Sequence, residues 1–254
     1  MNTELPDILD ELRAHPEHKT HFTEHWSQGR AAFGGLVGAF AVTAMNKLLE
    51  SPKPLRSLMV SFVGPLPPGE VTVVPRVVRQ GKNVTQASAD VIGDGNICLQ
   101  AMAVYGNPRE ALYLAPEEAE FAPIPIEQGV AFADYRKRLP EFLQFFEGAW
   151  VGDAAPFSGS KARHLNCWVK HRSDMSAYPA ESLICIADLP PPVLLSHFEK
   201  PPIPASSVTW SLEMVVPAEE INSDWFYLHY TADAAASGYA QQSGRIYDKS
   251  GRLC

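Results

Sequence analysis

Residues 36–49 read LVGAFAVTAMNKLL, and the four segments after them alternate in the manner of strands. The run holds no acid before Glu50 and is apolar on almost every face. Such a helix must be wrapped by other elements rather than laid on a surface. Pro52 and Pro54 stop it. LRSLMVSFVGP then begins at Leu55, and the turn PLPPGE leads into VTVVPRVVRQ. Gly81 turns the chain into NVTQASADVIG, and the GDG at 93–95 is a hairpin signal into NICLQAMAVYG. Connections this short predict an antiparallel meander. One helix against such a sheet makes an α+β layer.

Working outward, DILDELRAH near the N-terminus reads as a short leader helix, and FTEHWSQGRAAFGG alternates weakly before ending in Gly34-Gly35. Beyond residue 106 the pattern breaks into a Pro- and Glu-rich stretch. This places an N-terminal unit at 1–115, a linker at 116–147 and a C-terminal unit at 148–254. The second unit repeats the order of the first. ARHLNCWVKH alternates, residues 178–198 form a second apolar helix candidate, and SVTWSLEMVVP, DWFYLHYTADA and YAQQSGRIYD come next as strands. Ser57–Phe62 aligns with Ser207–Leu212, and Gly95–Cys98 with Gly251–Cys254, at offsets of 150 and 156. Two matches in the same order and context point to an internal duplication with unequal loops.

The composition fits a soluble protein with a sizeable core: 46% of 254 residues are hydrophobic and 20% charged. The net charge of -8, with no basic block, argues against nucleic acid as a partner. No apolar stretch is long enough to span a membrane, and the charged N-terminus has no signal-peptide core, so a cytoplasmic location is expected. Cys98, Cys167, Cys185 and Cys254 are far apart and show no CxxC spacing, so no metal is expected. There is no GxSxG elbow of a serine hydrolase.

Asp188 is the acid that composition singles out. Its neighbours are Ile184, Cys185, Ile186, Ala187 and Leu189, and no other acid lies between Glu181 and Glu199. Apolar surroundings disfavour the charged form and raise a carboxyl pKa towards neutrality, as a general base requires. The alternative is a capping aspartate at the break before Pro190-Pro191-Pro192. Gly34-Gly35 ahead of a helix offers amides that can stabilise an oxyanion; the alternative is tight packing. The first helix has no carboxylate at the place of Asp188, so the first unit reads as non-catalytic.

AFGGLVGAFAVTAM, the strands from LRSLMVSFVGP to NICLQAMAVYG, ADLPPPVLL, SVTWSLEMVVP and SGYAQQSGRIYDKSGRL together resemble the acyl-CoA thioesterase II type, a double hot-dog family. The resemblance covers roughly residues 22–105 and 148–254. It implies a tandem hot-dog α+β fold, each unit a long helix wrapped by a curled antiparallel sheet. It implies hydrolysis of an acyl-CoA to free acid and CoA without cofactor, metal or covalent intermediate, by a homo-oligomer. The family's Asp falls at Asp188 and its Thr/Ser at Ser207, with Thr209, two residues on, as the fallback. Its Gln lies a few residues beyond Gly-Arg-Leu and has no counterpart before Cys254; either the chain is cut short or that role is vacant or filled otherwise. Arg79, Lys82, Lys161, Arg163 and Lys170 are candidates for the CoA phosphates by type alone. A non-catalytic acyl-CoA or acyl-ligand binding protein on the same fold is the second reading. A hydratase is disfavoured, because the expected Asp-x-x-x-x-His spacing is absent.

Overall fold

The structure, a computed structural model, describes residues 4–112, 114, 121–135 and 139–254. Helix α1 (Leu5–Ala14) places Leu5, Ile8, Leu9 and Leu12 on one buried stripe. The leader segment is therefore part of the core, packed on the apolar run. Strand β1 (Lys19–Phe22) and the two-residue strands β2 (Ser27–Gln28) and β3 (Ala31–Ala32) lead into α2 (Gly34–Asn46). This helix starts two residues before the predicted Leu36 and ends before Leu49. Every residue from Gly35 to Met45 is buried. That is the wrapping its all-round apolar sequence requires.

The predicted meander is present as β4 (Leu55–Phe62), β5 (Gly69–Gln80), β6 (Val84–Gly93) and β7 (Asn96–Gly106). The second half adds β8 (Val130–Ala131), β9 (Phe146–Val151), β10 (His164–His171), α3 (Pro179–Ala187), β11 (Thr209–Glu213), β12 (Phe226–Ala236) and β13 (Tyr239–Asp248). Among the described residues one sheet runs β1-β5-β6-β7-β4-β11 and another β13-β12-β10-β9-β8, with every pairing antiparallel. The architecture is a tandem hot-dog, with α2 touching β5, β6 and β7 on one side and α3 on the other.

Three expectations change in detail. The helix candidate at 178–198 ends at Ala187 and resumes only as a 3₁₀ turn at Val193–His197. Pro190, Pro191 and Pro192 lack the N–H groups that a continuing helix needs. Strand β11 belongs to the second unit in sequence but hydrogen-bonds to β4 of the first. Its Trp210 faces Val60, the residue it aligns with in the duplication, so the two copies meet about a local two-fold at that pair. Finally, the described end of the 116–147 stretch is packed rather than a free connector. Phe142 stacks on Phe33 at 4.1 Å and Phe145 on Trp26 at 4.2 Å. Residues 115–120 and 136–138 lie outside the described residues.

Because α2 packs on the six-stranded sheet and on both α1 and α3, damage to it should be felt by the whole chain. Phe40 is fully buried and meets Phe22 at 6.2 Å. Phe40→Ala is expected to cost about 3–5 kcal/mol. Urea unfolding followed by circular dichroism and by tryptophan fluorescence should show both probes shifting together. Two separated transitions would contradict a shared core.

Candidate active site

Helices α2 and α3 run antiparallel, and glycines let them touch. A Cβ on Gly35 would lie 2.8 Å from the Cys185 Cα, and one on Gly38 would lie 3.0 Å from Ile184 Cγ2. At the other end of the contact, Thr43 Oγ1 and Asn46 Nδ2 donate to Glu181 Oε1 at 3.1 and 3.2 Å. Each helix therefore ends against the start of the other.

Asp188 is the residue that closes α3, its own N–H donating to the Ile184 carbonyl at 3.4 Å. There its carboxyl reaches the head of α2. The Gly35 N–H donates to it, and a Cβ on Gly34 would fall 2.6 Å from Oδ2. Two effects compete. Burial pushes the pKa up, while the Gly35 amide holds it down. Burial wins, and the carboxyl is pushed up to about 7. Asp188 thus caps α2, the partner helix, with a carboxyl that burial raises to about 7.

The Phe62 ring closes one side, 2.8 Å from where a Gly34 Cβ would stand. The Phe62 N–H donates to the Val208 carbonyl at 3.0 Å, which brings the segment before β11 towards the site. Ser207 and Thr209 flank that carbonyl, and both are exposed. Thr209 points away from the strand face on which Trp210 approaches Gly38 of α2. Asp188, Gly34 and Gly35 are brought together; among the described residues no hydrogen bond joins Ser207 or Thr209 to Asp188. Of the candidate cations, Arg163 donates to the Ala232 and Asp233 carbonyls and Lys170 pairs with Glu147 at 3.2 Å. Arg79, Lys82 and Lys161 are exposed.

Three residues around the α2–α3 contact have roles that the sequence does not show. The Tyr230 hydroxyl donates to the carbonyl of Ala187, the residue before Asp188. Gly244 must lack a side chain, since a Cβ there would lie 2.6 Å from the Tyr230 ring. Glu181 is a second buried acid, raised to about 7 by burial against the bonds from its own amide, Thr43 and Asn46.

Residues 22–106 match the acyl-CoA thioesterase N-terminal domain, and residues 116–254 match the acyl-CoA thioesterase C-terminal domain. The chain belongs to the acyl-CoA thioesterase family. Solved hot-dog structures share its fold. A protein of unknown function from Alicyclobacillus acidocaldarius superposes with a TM-score of 0.80 at 18% identity, covering 92% of this chain and 88% of that one. An acyl-CoA thioesterase II from Mycobacterium marinum gives 0.71 at 16% identity, covering 96% and 93%. A tesB protein from Mycobacterium avium gives 0.69 at 17%, covering 98% and 95%. No curated protein sequence matches the chain. No described helix of this thioesterase-family chain is long and apolar enough to cross a membrane.

The two raised acids have a consequence for stability. Both bind their protons more tightly folded than unfolded, so stability falls as pH rises from about 4 to about 7. In Glu181→Gln the amide oxygen can still accept from Thr43 and Asn46, while the buried charge is gone. Thermal unfolding should therefore show Glu181→Gln a few degrees above the parent at pH 8, with the gap closing near pH 5. A variant less stable at pH 8 would show that Glu181 is held as a stabilising anion instead.

Proposed function

We propose that this chain hydrolyses the thioester of an acyl-CoA, with Asp188 as the general base that activates water. The observation that carries the reading is the Asp188 carboxyl set against the first turn of α2, with its pKa raised to about 7. A base works best when its pKa lies near the working pH, because it is then largely ionised yet still basic enough to take a proton. The Gly35 amide fixes one carboxylate oxygen and leaves the other for a water.

In this mechanism the water attacks the thioester carbonyl carbon as Asp188 takes its proton. Charge develops on the carbonyl oxygen, where the Gly34 N–H at the head of α2 supplies the donor and the helix dipole a favourable field. Collapse breaks the C–S bond. The proton held by Asp188 passes to the departing thiolate, giving free acid and CoA. Ser207, in the segment that the Phe62 N–H anchors through the Val208 carbonyl, is the hydroxyl assigned to the water. Arg79, Lys82 and Lys161 are the exposed cations left for the CoA phosphates.

Release of CoA thiol from a panel of acyl-CoAs tests the proposal. Asp188→Asn is expected to lower kcat about 10²–10⁴-fold. The parent's kcat/KM should rise with pH and level off above about 7, as the carboxyl ionises. Full activity in Asp188→Asn would remove Asp188 from the mechanism. Tight acyl-CoA binding by the parent without turnover would favour an acyl-ligand binding protein.

A further inference from the structure

The backbone that follows Asp188 cannot hold itself by helical bonds. In a continuing helix the Ala187 carbonyl would accept from the N–H three or four residues further on. Those residues are Pro190 and Pro191, and neither has an N–H. Pro192 has none either, so the first N–H after the run belongs to Val193. Asp188 itself is tied back only at its amide, which donates to the Ile184 carbonyl at 3.4 Å, and Leu189 at its own, to Ile186 at 3.2 Å. The residue that the proposed reaction needs in one place thus stands at the head of a segment stripped of its local partners.

Side chains of the β12–β13 hairpin supply what the prolines remove. The Tyr230 hydroxyl on β12 donates to the Ala187 carbonyl. On β13 the Gln242 side-chain oxygen accepts from the Val193 N–H at 3.0 Å. The register pairs Tyr230 with Gly244 and Ala232 with Gln242, so the two bonds come from neighbouring positions on one face of the hairpin. A Cβ on Gly244 would lie 2.6 Å from the Tyr230 ring, so that glycine makes the room the ring needs. The segment from Ala187 to Val193 is thereby clamped at both ends, with Asp188 next to the first clamp. The phenol stays a donor at every working pH, because burial and then the nearby Asp188 carboxylate push its pKa well above the ordinary tyrosine value. The Cys185 thiol, the other titratable group that feels Asp188, is likewise held neutral by burial.

We propose that Tyr230, supported by Gln242, is a positioning residue that aims the Asp188 carboxyl at the head of α2; this rests on Asp188 being the base. The Tyr230 bond fixes the plane of the peptide between Ala187 and Asp188, and with it the direction in which the Asp188 side chain leaves the backbone. The carboxyl must meet the Gly35 N–H with one oxygen and present the other to the water. A misplacement of about 1 Å at a reacting group costs on the order of 10²-fold in rate. Tyr230 touches no reacting atom and acts through the backbone alone. If its hydroxyl merely satisfied a buried carbonyl, removing it would lower stability and leave the titration of Asp188 where it is.

The test compares the full chain with Tyr230→Phe, which removes the hydroxyl and keeps the ring over Gly244, and with Gln242→Leu. Two readouts are taken: kcat and KM for an acyl-CoA that the parent hydrolyses, and the midpoint of the Asp188 carboxyl followed by ¹³C NMR, which needs no turnover. In Tyr230→Phe, kcat is expected to fall about 10–10²-fold with KM unchanged. The midpoint should rise from about 7, because burial persists while the Gly35 amide loses its hold. Gln242→Leu should shift both in the same direction by less, and it decides the matter if Tyr230→Phe does not fold. An unchanged midpoint overturns the proposal, whatever happens to the melting temperature. A midpoint falling towards 4 overturns it too, since the hydroxyl would then be sealing the carboxyl from water rather than aiming it. So does an unchanged kcat while Asp188→Asn is inactive. Full activity in Asp188→Asn refutes the base itself, and the midpoint alone then shows whether Tyr230 orients that carboxyl.

Discussion

The antiparallel contact between α2 and α3 is the constraint on which the rest of the structure rests. Gly34, Gly35 and Gly38 leave no side chain between the helices, so Cys185 and Ile184 come against the α2 backbone. That closeness sets the end of α3 against the head of α2. Asp188 can then reach the Gly35 amide from inside an apolar core. With larger residues at those glycines the helices would separate, and the carboxyl would sit in water with an ordinary pKa. The site is therefore a property of the packed pair of units rather than of either one.

The same contact explains why the duplication is unequal. Each helix presents its end to the start of the other, so there are two helix-end junctions. One holds Asp188 over Gly34 and Gly35; the other holds Glu181 under Thr43 and Asn46. Glu181 is enclosed by bonds from two side chains, which tie its oxygen down. Asp188 is bonded by one backbone amide, and its residue keeps some solvent contact. Similar burial thus gives one acid a structural role and leaves the other available to a water.

Much of this was legible in the sequence where the signal is local. The apolar run of α2 announces a wrapped helix because no surface position could hold it. The alternation of β4 to β7 announces the meander. Asp188 stands out because no other acid shares its apolar run. The illegible part depends on partners far away in the chain. The pairing of β11 with β4 joins residues about 150 apart, and a strand's alternation does not say which edge it will meet. Glu181 looks like an ordinary first-turn glutamate until α2 supplies Thr43 and Asn46. Tyr230 reads as packing until its hydroxyl is seen on the Ala187 carbonyl.

The central claim is that packing against α2 turns Asp188 into a carboxyl that titrates near neutrality. Its side-chain carbon can be followed by ¹³C NMR across the pH range, with Asp188→Asn assigning the resonance. A midpoint at about 7 is the predicted result. A midpoint near 4, the ordinary aspartate value, would contradict the claim, because the carboxyl would then be solvated and the helix contact would not tune it.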